Sequence, residues 1–444
     1  MFRLRPFLRH PILRQQRWSS TAPKSSDPLR ILFCGSDEFS AASLSALTKE
    51  HHHNPSLISS IDVAIRPPKP TGRGYKVLRP VPLQSVAESL SLPLHTFNTF
   101  TGWTPPQPYN LIIAVSFGLF VPKRILRDAK YGGLNVHPSL LPDLRGPAPL
   151  HWALLDGRRY TGVSLQTLSE ETFDSGEVLA QTPLPGIEIP KGTGVAGLRD
   201  MLAEKGAQML VDGLRRGLHV PPRRDVGWVP SEEKREVIRH APKITKRESE
   251  VRWGGEWTAE VVARRARVLG DALWSRAVAR DGKTKRVILG GVEEVVGERL
   301  EEVRRFLEGG REERKAIKDE GVVRFIAWRQ SDVEEGAGRE QTRPKFAVVP
   351  YLAEPGTEGS VVIPFAAGDC IRVREVKLEG CQSEPALSAL KCVSYTAEEF
   401  RNLKDDPRFG GGDAVKQSSG VEGVSFGVDA MGYGALGLLG GLLD

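Results

Sequence analysis

Short apolar runs alternate with amphipathic stretches over the N-terminal half of this chain, and this alternation constrains the fold more than any other feature. Turn residues separate each run from a segment with helical spacing, such as residues 121–126 and 148–155. Strands that alternate with helices pair in parallel, so the pattern predicts an α/β domain with a Rossmann-like open parallel sheet. The expected strands are residues 29–35, 61–65, 111–115, 134–137 and 163–168.

The first predicted strand-to-helix turn argues against one common use of such a sheet. It carries a single glycine, Gly35, followed by Ser36 and Asp37, and no G-x-G-x-x-G run occurs there. That run is what allows a backbone to approach the pyrophosphate of a dinucleotide closely. We therefore expect a Rossmann-like sheet that binds no dinucleotide cofactor.

The length of the chain predicts a second domain, because 444 residues exceed what one simple core accommodates. Short strand-like segments separated by turn residues recur in the C-terminal half, and they predict a smaller, OB-like β-barrel. A stretch rich in glycine and poor in charge follows them, and we expect it to be disordered. The expected organisation is a presequence at 1–27, a catalytic domain at 28–219, a linker at 220–240, a barrel domain at 241–403 with a helical, charged insertion at about 292–345, and a tail at 404–444.

Arginines interleave with apolar residues in the first 24 positions, and no acidic residue occurs before Asp27. This acid-poor, Arg-rich and Ser-rich pattern is typical of an organellar presequence, whereas a secretory signal needs a continuous apolar stretch. We therefore expect a mitochondrial matrix location. No apolar run approaches the roughly 20 residues of a membrane span, so no membrane partner is expected. The net charge of +7 permits a polyanionic partner.

The cysteines and histidines do not form a metal-binding pattern. The four cysteines lack C-x-x-C spacing and histidine partners at zinc-ligand distances, so we interpret them as reduced thiols. Residues 51–53 are three consecutive histidines, which we expect in a solvated turn, because neighbouring residues on a loop rarely converge on one ion. We predict no metal site. The four cysteines are Cys34, Cys370, Cys381 and Cys392.

Two polar side chains end the predicted strand at 134–137. Asn135 and His137 are two residues apart, and residues i and i+2 of a strand face the same side. Open parallel sheets bind ligands at the carboxyl ends of their strands, where this pair is expected. An amide N–H stabilises a developing oxyanion and an imidazole handles protons, so the pair suits acyl transfer without a nucleophilic Ser or Cys.

A carboxylate that orients the imidazole is expected on the loop after the next predicted strand. This loop offers Glu170, Glu171 and Asp174, the last of which is followed by Ser175 and Gly176. A charged loop ordinarily faces water, and spacing does not separate the three carboxylates. All three remain candidates at this point.

Residues 135–149, together with Asp174-Ser175-Gly176, resemble the signature of the formyltransferase family. The resemblance implies that Asn135, His137 and Asp174 are the catalytic residues and that 10-formyltetrahydrofolate is the formyl donor. An acceptor amine would then attack the formyl carbon while Asn135 and His137 stabilise the oxyanion.

The same resemblance implies a folate-lining segment directly after His137. Asp143 and Leu144, which follow this segment, depart from the family pattern, because many members have a basic and an aromatic residue there. The reversed charge puts contacts with the folate tail or the acceptor in question. The segment consists of Ser139, Leu140, Leu141 and Pro142.

Residues 67–76, Pro-Pro-Lys-Pro-Thr-Gly-Arg-Gly-Tyr-Lys, form a basic loop with one aromatic residue. Such a loop suits a phosphate backbone or unstacked bases. It resembles the loop that methionyl-tRNA formyltransferases insert after their second strand, and residues 241–246 with the strands after them resemble the tRNA-binding barrel of the same enzymes. The resemblance implies methionyl initiator tRNA as the acceptor, with Arg73 as the principal contact. The implied tRNA-binding residues are Lys69, Gly72, Arg73, Gly74, Lys76, Lys243 and Lys246.

Two other functions compete with this interpretation. A formyltransferase or folate hydrolase acting on a small acceptor does not explain the loop at 67–76 or the second domain. A catalytically silent tRNA-binding protein does not explain the presence of all three implied catalytic residues. We therefore expect a monomeric enzyme that formylates methionyl initiator tRNA for organellar translation initiation.

Overall fold

The computed structural model describes residues 24–71, 74, 76–229, 238–253, 257–270, 273–308, 320–327, 345–354, 356–365, 368–395 and 399. These residues form two compact units. The first comprises the described residues up to 137 with 163–181 and 203–229, and the second comprises 138–162, 182–202 and the described residues from 238 onward. The expected presequence, apart from residues 24–27, and the expected tail at 404–444 lie outside the described residues.

Helices lie between several of the strands up to residue 155, as the sequence predicts, whereas four strands follow one another between residues 160 and 188. The strands are β1 Leu29–Gly35, β2 Ile58–Ile65, β3 Lys69–Thr71, β4 Val77–Arg79, β5 Leu94–Thr96, β6 Leu111–Val115, β7 Gly133–His137, β8 Tyr160–Thr161, β9 Ser164–Thr167, β10 Val178–Gln181 and β11 Ile187–Glu188. The helices are α1 Glu38–His53, α2 Pro82–Ser89, α3 Lys123–Asp128, α4 Pro149–Leu155 and α5 Val195–Arg215.

Seven of these strands form the sheet of the first unit, in the order β10-β9-β7-β6-β1-β2-β5. The pairs from β5 through β7 are parallel, and β9 runs antiparallel to both of its neighbours. The predicted Rossmann-like sheet is confirmed, although the antiparallel direction of β9 was not predicted. Because β2, β1, β6 and β7 run in one direction, their carboxyl ends meet at one edge of the sheet.

The lone glycine of the first turn has a packing role. A Cβ atom at Gly35 would lie 2.7 Å from the Cβ of Ser40 and 2.8 Å from a methyl of Leu83. The glycine therefore allows the first turn of α1 to approach the end of β1 closely. Asp37 caps this helix, because its carboxylate accepts a hydrogen bond from the Ser40 amide at 3.0 Å.

The histidines at 51–53 correct one expectation. They form the last turn of helix α1 and not a loop, although His52 and His53 are exposed, and Nδ1 of His51 lies 2.7 Å from the Ile58 carbonyl oxygen. No group of three or more His, Cys, Asp or Glu side chains suited to a metal ion occurs among the described residues. None of the helices in the described part of the chain is long and apolar enough to cross a membrane.

Part of the expected linker at 220–240 belongs to the first unit. The Val226 amide donates to the Val178 carbonyl of β10 at 2.7 Å, and the Trp228 amide donates to the side-chain oxygen of Gln181 at 3.2 Å. These bonds attach residues 226 and 228 to the edge strand β10. Residues 230–237 of the expected linker lie outside the described residues.

The second unit contains a ten-stranded antiparallel sheet, so the predicted C-terminal β domain is confirmed. The order is β14-β18-β17-β16-β15-β12-β13-β19-β20, and β21 pairs with β15. Its strands are β12 Leu273–Val278, β13 Thr284–Gly290, β14 Glu293–Val295, β15 Glu320–Ala327, β16 Lys345–Ala353, β17 Val361–Pro364, β18 Cys370–Val373, β19 Glu375–Leu378, β20 Ser383–Pro385 and β21 Ser394–Tyr395. The helices that accompany it are α6 Ala259–Leu269, α7 Glu298–Glu308 and α8 Ala386–Lys391.

The expected insertion at about 292–345 is partly sheet. Helix α7 lies within it, but so does β15, which pairs with β12 and β16 in the middle of the sheet. Val323 and Phe325 of β15 are buried in the core. The expected helical and charged insertion therefore also includes a strand of the sheet at residues 320–327, and residues 309–319 and 328–344 lie outside the described part.

A buried ionic cluster attaches α7 to this sheet. The Glu354 carboxylate is fully buried and lies 2.5 Å from an Arg372 nitrogen and 3.2 Å from Arg299 Nε on α7. Burial alone would raise the pKa of Glu354, but the two guanidinium groups outweigh it and lower the pKa. Two arginines thus compensate the one buried charge.

Candidate active site

The end of β7 holds the Asn135 side chain by both of its polar atoms. Nδ2 donates to the Ala114 carbonyl of β6 at 2.8 Å, and Oδ1 accepts from Nε2 of Gln166 on β9 at 3.0 Å. The amide is thereby oriented by the two strands that flank β7. One N–H of Asn135 is used by Ala114, and no hydrogen bond of the second is described.

His137 and Asp174 lie side by side in the first unit. Nδ1 of His137 is 3.3 Å from Oδ1 of Asp174, and the two side chains are only 6% and 12% exposed. Such burial strengthens the interaction between the carboxylate and the imidazole relative to water. A carboxylate at this distance orients the ring so that Nε2 faces away from it.

The other two carboxylates of the loop take different positions. Glu170 pairs with Arg127 at 2.7 Å on the surface, and this hydrogen bond lowers the pKa of Glu170. Glu171 is exposed. Of the three candidates that the sequence left open, only Asp174 has a described ion pair with His137.

The backbone around Asp174 is held in an unusual conformation. Asp174 has a φ of +52°, which is uncommon for a residue with a side chain. Gly176, two residues later, passes so close to β9 that an added Cβ would lie 1.8 Å from the Thr167 carbonyl oxygen. The Asp-Ser-Gly sequence therefore has a steric reason: the glycine brings the loop onto β9, and this holds the Asp174 carboxylate over the sheet.

Gln166 joins the two halves of this cluster and was missed by the sequence analysis. Its Nε2 lies 3.0 Å from Asn135 Oδ1 and 3.2 Å from Asp174 Oδ1. The signal was a polar residue in the middle of the apolar strand at 163–168. Its partner was not predictable, because the antiparallel register that sets Gln166 opposite Asn135 is a long-range pairing.

The segment expected to line the folate site lies in the second unit. The side chains of Ser139 and Leu141 are buried, whereas Leu140 and Pro142 are partly exposed. The Ser139 hydroxyl donates to the Asp143 carbonyl oxygen at 2.7 Å, which closes the segment into a turn. Ser139 and Leu141 therefore shape the turn from inside.

The departure at Asp143 and Leu144 is compensated within the second unit. The Asp143 carboxylate accepts from the Arg239 amide at 2.9 Å and lies 3.7 Å from the Arg158 guanidinium. Leu144 is buried with a φ of +56°. The reversed charge at Asp143 thus has one basic partner, Arg158, and one backbone amide donor within its own unit.

The basic segment at 67–76 contains the first strand of a β-hairpin. Strands β3 and β4 pair antiparallel, with Lys69 opposite Arg79 and Thr71 opposite Val77. Lys69, Gly74 and Lys76 are exposed, as are the strand residues after them. Gly72 and Arg73 lie outside the described residues.

Two tryptophans hold the backbone around Lys243 and Lys246. The indole N–H of Trp152 donates to the Pro242 carbonyl at 2.7 Å, and that of Trp274 donates to the Lys246 carbonyl at 3.0 Å. Both lysine side chains are exposed. The second unit therefore presents two cations on an anchored backbone segment.

Comparison with known proteins finds a matching family model first. The Formyl transferase family model matches residues 29–214, which include the cluster at the end of β7. A solved sugar N-formyltransferase from Shewanella sp FDAARGOS_354 is similar with a TM-score of 0.42 and 14% identity, over 61% of this chain and 99% of that one.

Curated relatives then give the particular family. The mitochondrial methionyl-tRNA formyltransferase of Saccharomyces cerevisiae is 33% identical over 318 residues, which are 61% of this chain and 76% of the yeast protein. The methionyl-tRNA formyltransferase of Ehrlichia ruminantium (strain Gardel) is 34% identical over 266 residues, 59% of this chain and 79% of the relative. The chain belongs to the methionyl-tRNA formyltransferase family.

Proposed function

We propose that this protein transfers the formyl group of 10-formyltetrahydrofolate to the amino group of methionyl initiator tRNA in the mitochondrial matrix. The observation that carries the proposal is the buried cluster of Asn135, His137 and Asp174 at the carboxyl edge of the sheet, in a chain of this family. The mitochondrial relative and the Arg-rich residues 1–27 support the location.

The proposed reaction needs no covalent enzyme intermediate. The methionyl amine attacks the formyl carbon, and the carbonyl oxygen becomes an oxyanion that accepts a hydrogen bond from the second N–H of Asn135. Collapse of this intermediate breaks the bond between the formyl carbon and N10 of the folate. The amine loses one proton and N10 gains one, and we assign this transfer to His137, oriented by Asp174.

We assign the folate contacts of the Ser139 to Pro142 segment to its outward atoms. Leu140 and Pro142 have partly exposed side chains, whereas Ser139 and Leu141 are buried. Leu140 and Pro142 therefore supply the apolar surface, and Ser139 and Leu141 contribute only through their backbone or by supporting the turn.

We assign the tRNA contacts to the hairpin tip and to the anchored segment of the second unit. Lys69 and Lys76 flank the tip, and Lys243 and Lys246 lie on the backbone held by the tryptophans. Exposed cations of this kind bind phosphates, which position a nucleic acid without reading its sequence. Arg73, between Gly72 and Gly74 in the sequence, is the proposed principal contact.

The decisive experiment incubates the full chain with 10-formyltetrahydrofolate and either initiator or elongator methionyl-tRNA. Mass spectrometry of the released aminoacyl group is expected to show formylmethionine from the initiator tRNA and little from the elongator. Absence of formylmethionine from both would refute the function. Equal yields would refute the choice of initiator tRNA as the specific acceptor.

Arg73→Ala tests the acceptor assignment separately. We expect it to lower kcat/KM for tRNA by roughly tenfold to a hundredfold, because one arginine contact with nucleic acid contributes about 1–3 kcal/mol. The Kd for the folate is expected to stay unchanged. Lys205→Ala is the matched control, because Lys205 is an exposed cation on α5. A weaker folate affinity in Arg73→Ala would contradict the assignment.

A further inference from the structure

Gln166 is a buried residue of the first unit, and none of its atoms has a role in the proposed reaction. It lies on β9 directly opposite Asn135 and is only 1% exposed. A buried amide needs partners for two N–H donors and for one carbonyl oxygen. The groups that bond to the nitrogen and to the oxygen of the Gln166 amide therefore indicate its role.

Both donors of Gln166 go to the candidate active site. The same nitrogen, Nε2, lies 3.0 Å from Asn135 Oδ1 and 3.2 Å from Asp174 Oδ1. An ionised carboxylate only accepts hydrogen bonds, so the nitrogen of Gln166 and not its oxygen must face Asp174. The orientation of this amide follows from its neighbours.

The orientation of Asn135 is determined in the same way. Its Nδ2 must face the Ala114 carbonyl, 2.8 Å away, because a backbone carbonyl only accepts. Its Oδ1 therefore faces Gln166. A directed chain of hydrogen bonds thus runs from the β6 backbone through Asn135 and Gln166 to Asp174, which contacts His137.

The acceptor side of Gln166 is left without a partner. Its Oε1 is buried and has no hydrogen-bond partner among the described residues. Leaving a buried acceptor unsatisfied costs about 1–3 kcal/mol. The fold thus tolerates the unsatisfied Oε1 of Gln166, and the same amide places two N–H donors beside Asn135 and Asp174. A local cost of this kind is expected where function constrains a residue.

We infer that Gln166 is a positioning residue that couples the oxyanion-stabilising amide of Asn135 to the Asp174–His137 pair. One nitrogen holds both acceptors, so it sets the direction of the free Asn135 N–H and the position of the Asp174 carboxylate together. This inference rests on the proposed function and adds to it a residue that contacts no substrate.

The test uses two replacements of Gln166 in the full chain. Gln166→Met keeps the length of the side chain and removes both donors, and Gln166→Glu keeps its shape and sets a carboxylate against Asp174. Both are expected to lower kcat for formyl transfer by roughly tenfold to a hundredfold, as is typical when a supporting hydrogen bond is lost. KM for folate and for tRNA is expected to stay within about threefold, because substrate contacts are retained.

Gln181→Met is the matched control. Gln181 lies on the neighbouring strand β10, where it donates to the Ser164 hydroxyl at 2.8 Å and accepts from the Trp228 amide at 3.2 Å. It should keep the kcat of the wild type. A Gln166→Met variant with wild-type kcat, or with a rise in KM and no fall in kcat, would overturn the inference.

A double-mutant cycle separates positioning from general stability. In an Asn135→Ala, Asp174→Asn background, Gln166→Met should cause no further loss of kcat, since the groups through which it acts are gone. A full additional loss would mean that Gln166 acts independently, which would refute the inference.

A readout that needs no turnover distinguishes this inference from the proposed function. If the wild type fails to formylate methionyl-tRNA, the proposed function is wrong, and side-chain amide NMR of the same samples still tests the coupling. The Asn135 amide signal of the wild type is expected to shift and broaden in Gln166→Met and to stay unchanged in Gln181→Met. An unchanged Asn135 signal in Gln166→Met would refute the coupling.

Discussion

The cluster at the end of β7 and the β3–β4 hairpin use polar side chains in opposite ways. In the cluster, the side chains are largely buried and each is bonded to the next, from Asn135 through Gln166 to Asp174 and His137. In the hairpin, Lys69 and Lys76 are exposed and have no ion pair among the described residues.

This difference separates two kinds of functional effect. A buried, interlocked cluster determines the geometry of a reaction, so changes there are expected in kcat. Exposed cations attract and position a polyanion, so changes in the hairpin are expected in KM and in salt dependence. The hairpin also exposes Val77 and Leu78, at 63% and 64%, which adds apolar surface beside its cations.

The largest effect is expected for His137→Ala. We expect kcat for formyl transfer to fall about a thousandfold, because the variant loses the group assigned to proton transfer, while tRNA binding survives. Rapid-quench measurement of formylmethionine gives kcat, and a filter-binding assay gives the affinity for tRNA.

A second histidine in the same unit is the control for His137. His95 also pairs with a buried aspartate, Asp62, at 2.9 Å, but this pair also bonds to Tyr109 and lies apart from Asn135 in the strand order. His95→Ala should lower stability and retain most of the turnover. If both variants lost activity equally, a histidine–aspartate pair in this sheet would not by itself indicate catalysis.

A third histidine sharpens the contrast between burial and function. His219 is fully buried, its ring packs against Tyr131 at 5.0 Å, and neither ring nitrogen has a hydrogen-bond partner in the described residues. Burial, helped by the nearby Arg223 charge, lowers the pKa of His219 to about 4. The unfolded chain, whose histidine has a pKa of about 6.5, therefore binds a proton that the folded chain does not bind.

The stability contributed by a neutral His219 is complete above about pH 6.5 and is lost as the pH falls towards about 4. From about pH 7.5 to about pH 5, we expect the free energy of unfolding of the first unit to fall by about 2 kcal/mol through this group. Hydrogen exchange of the β1 and β6 amides at several pH values measures this free energy of unfolding. His219→Phe should remove this part of the pH dependence, and an unchanged slope would contradict the assignment.

The smallest effect is expected in the hairpin. Lys69→Ala and Lys76→Ala should each raise KM for tRNA a few-fold, leave kcat unchanged and reduce the slope of log KM against log salt by about 1, because each removes one phosphate contact. Steady-state kinetics at several salt concentrations measure both quantities. A fall in kcat without a change in the salt slope would mean that the hairpin acts on the reaction itself.

Local patterns predicted much of this molecule. The strands at 29–35 and 111–115 agree with β1 and β6 residue for residue, because a continuous apolar run bounded by turn residues is sufficient to identify a buried parallel strand. Asn135 and His137 could be singled out because a strand places residues i and i+2 on one side. These signals depend only on neighbours along the chain.

Features that depend on distant residues were missed or left open. The insertion expected at about 292–345 did not anticipate β15, because residues 320–327 join the sheet by pairing with β12 and β16, and such pairing does not follow from the segment itself. The choice of Asp174 over Glu170 and Glu171 rested on family resemblance alone. Glu170 pairs with Arg127 on the surface, and this pairing could not be predicted because the two residues are distant in sequence.

The sequence by itself determined the main strands of the first unit and the polar pair at the end of β7. Only the tertiary structure decided that β9 runs antiparallel, and this direction is what sets Gln166 against both Asn135 and Asp174. The physical reason is that periodicity and turn chemistry are local, whereas strand direction and hydrogen-bond partners depend on which distant segments pack together.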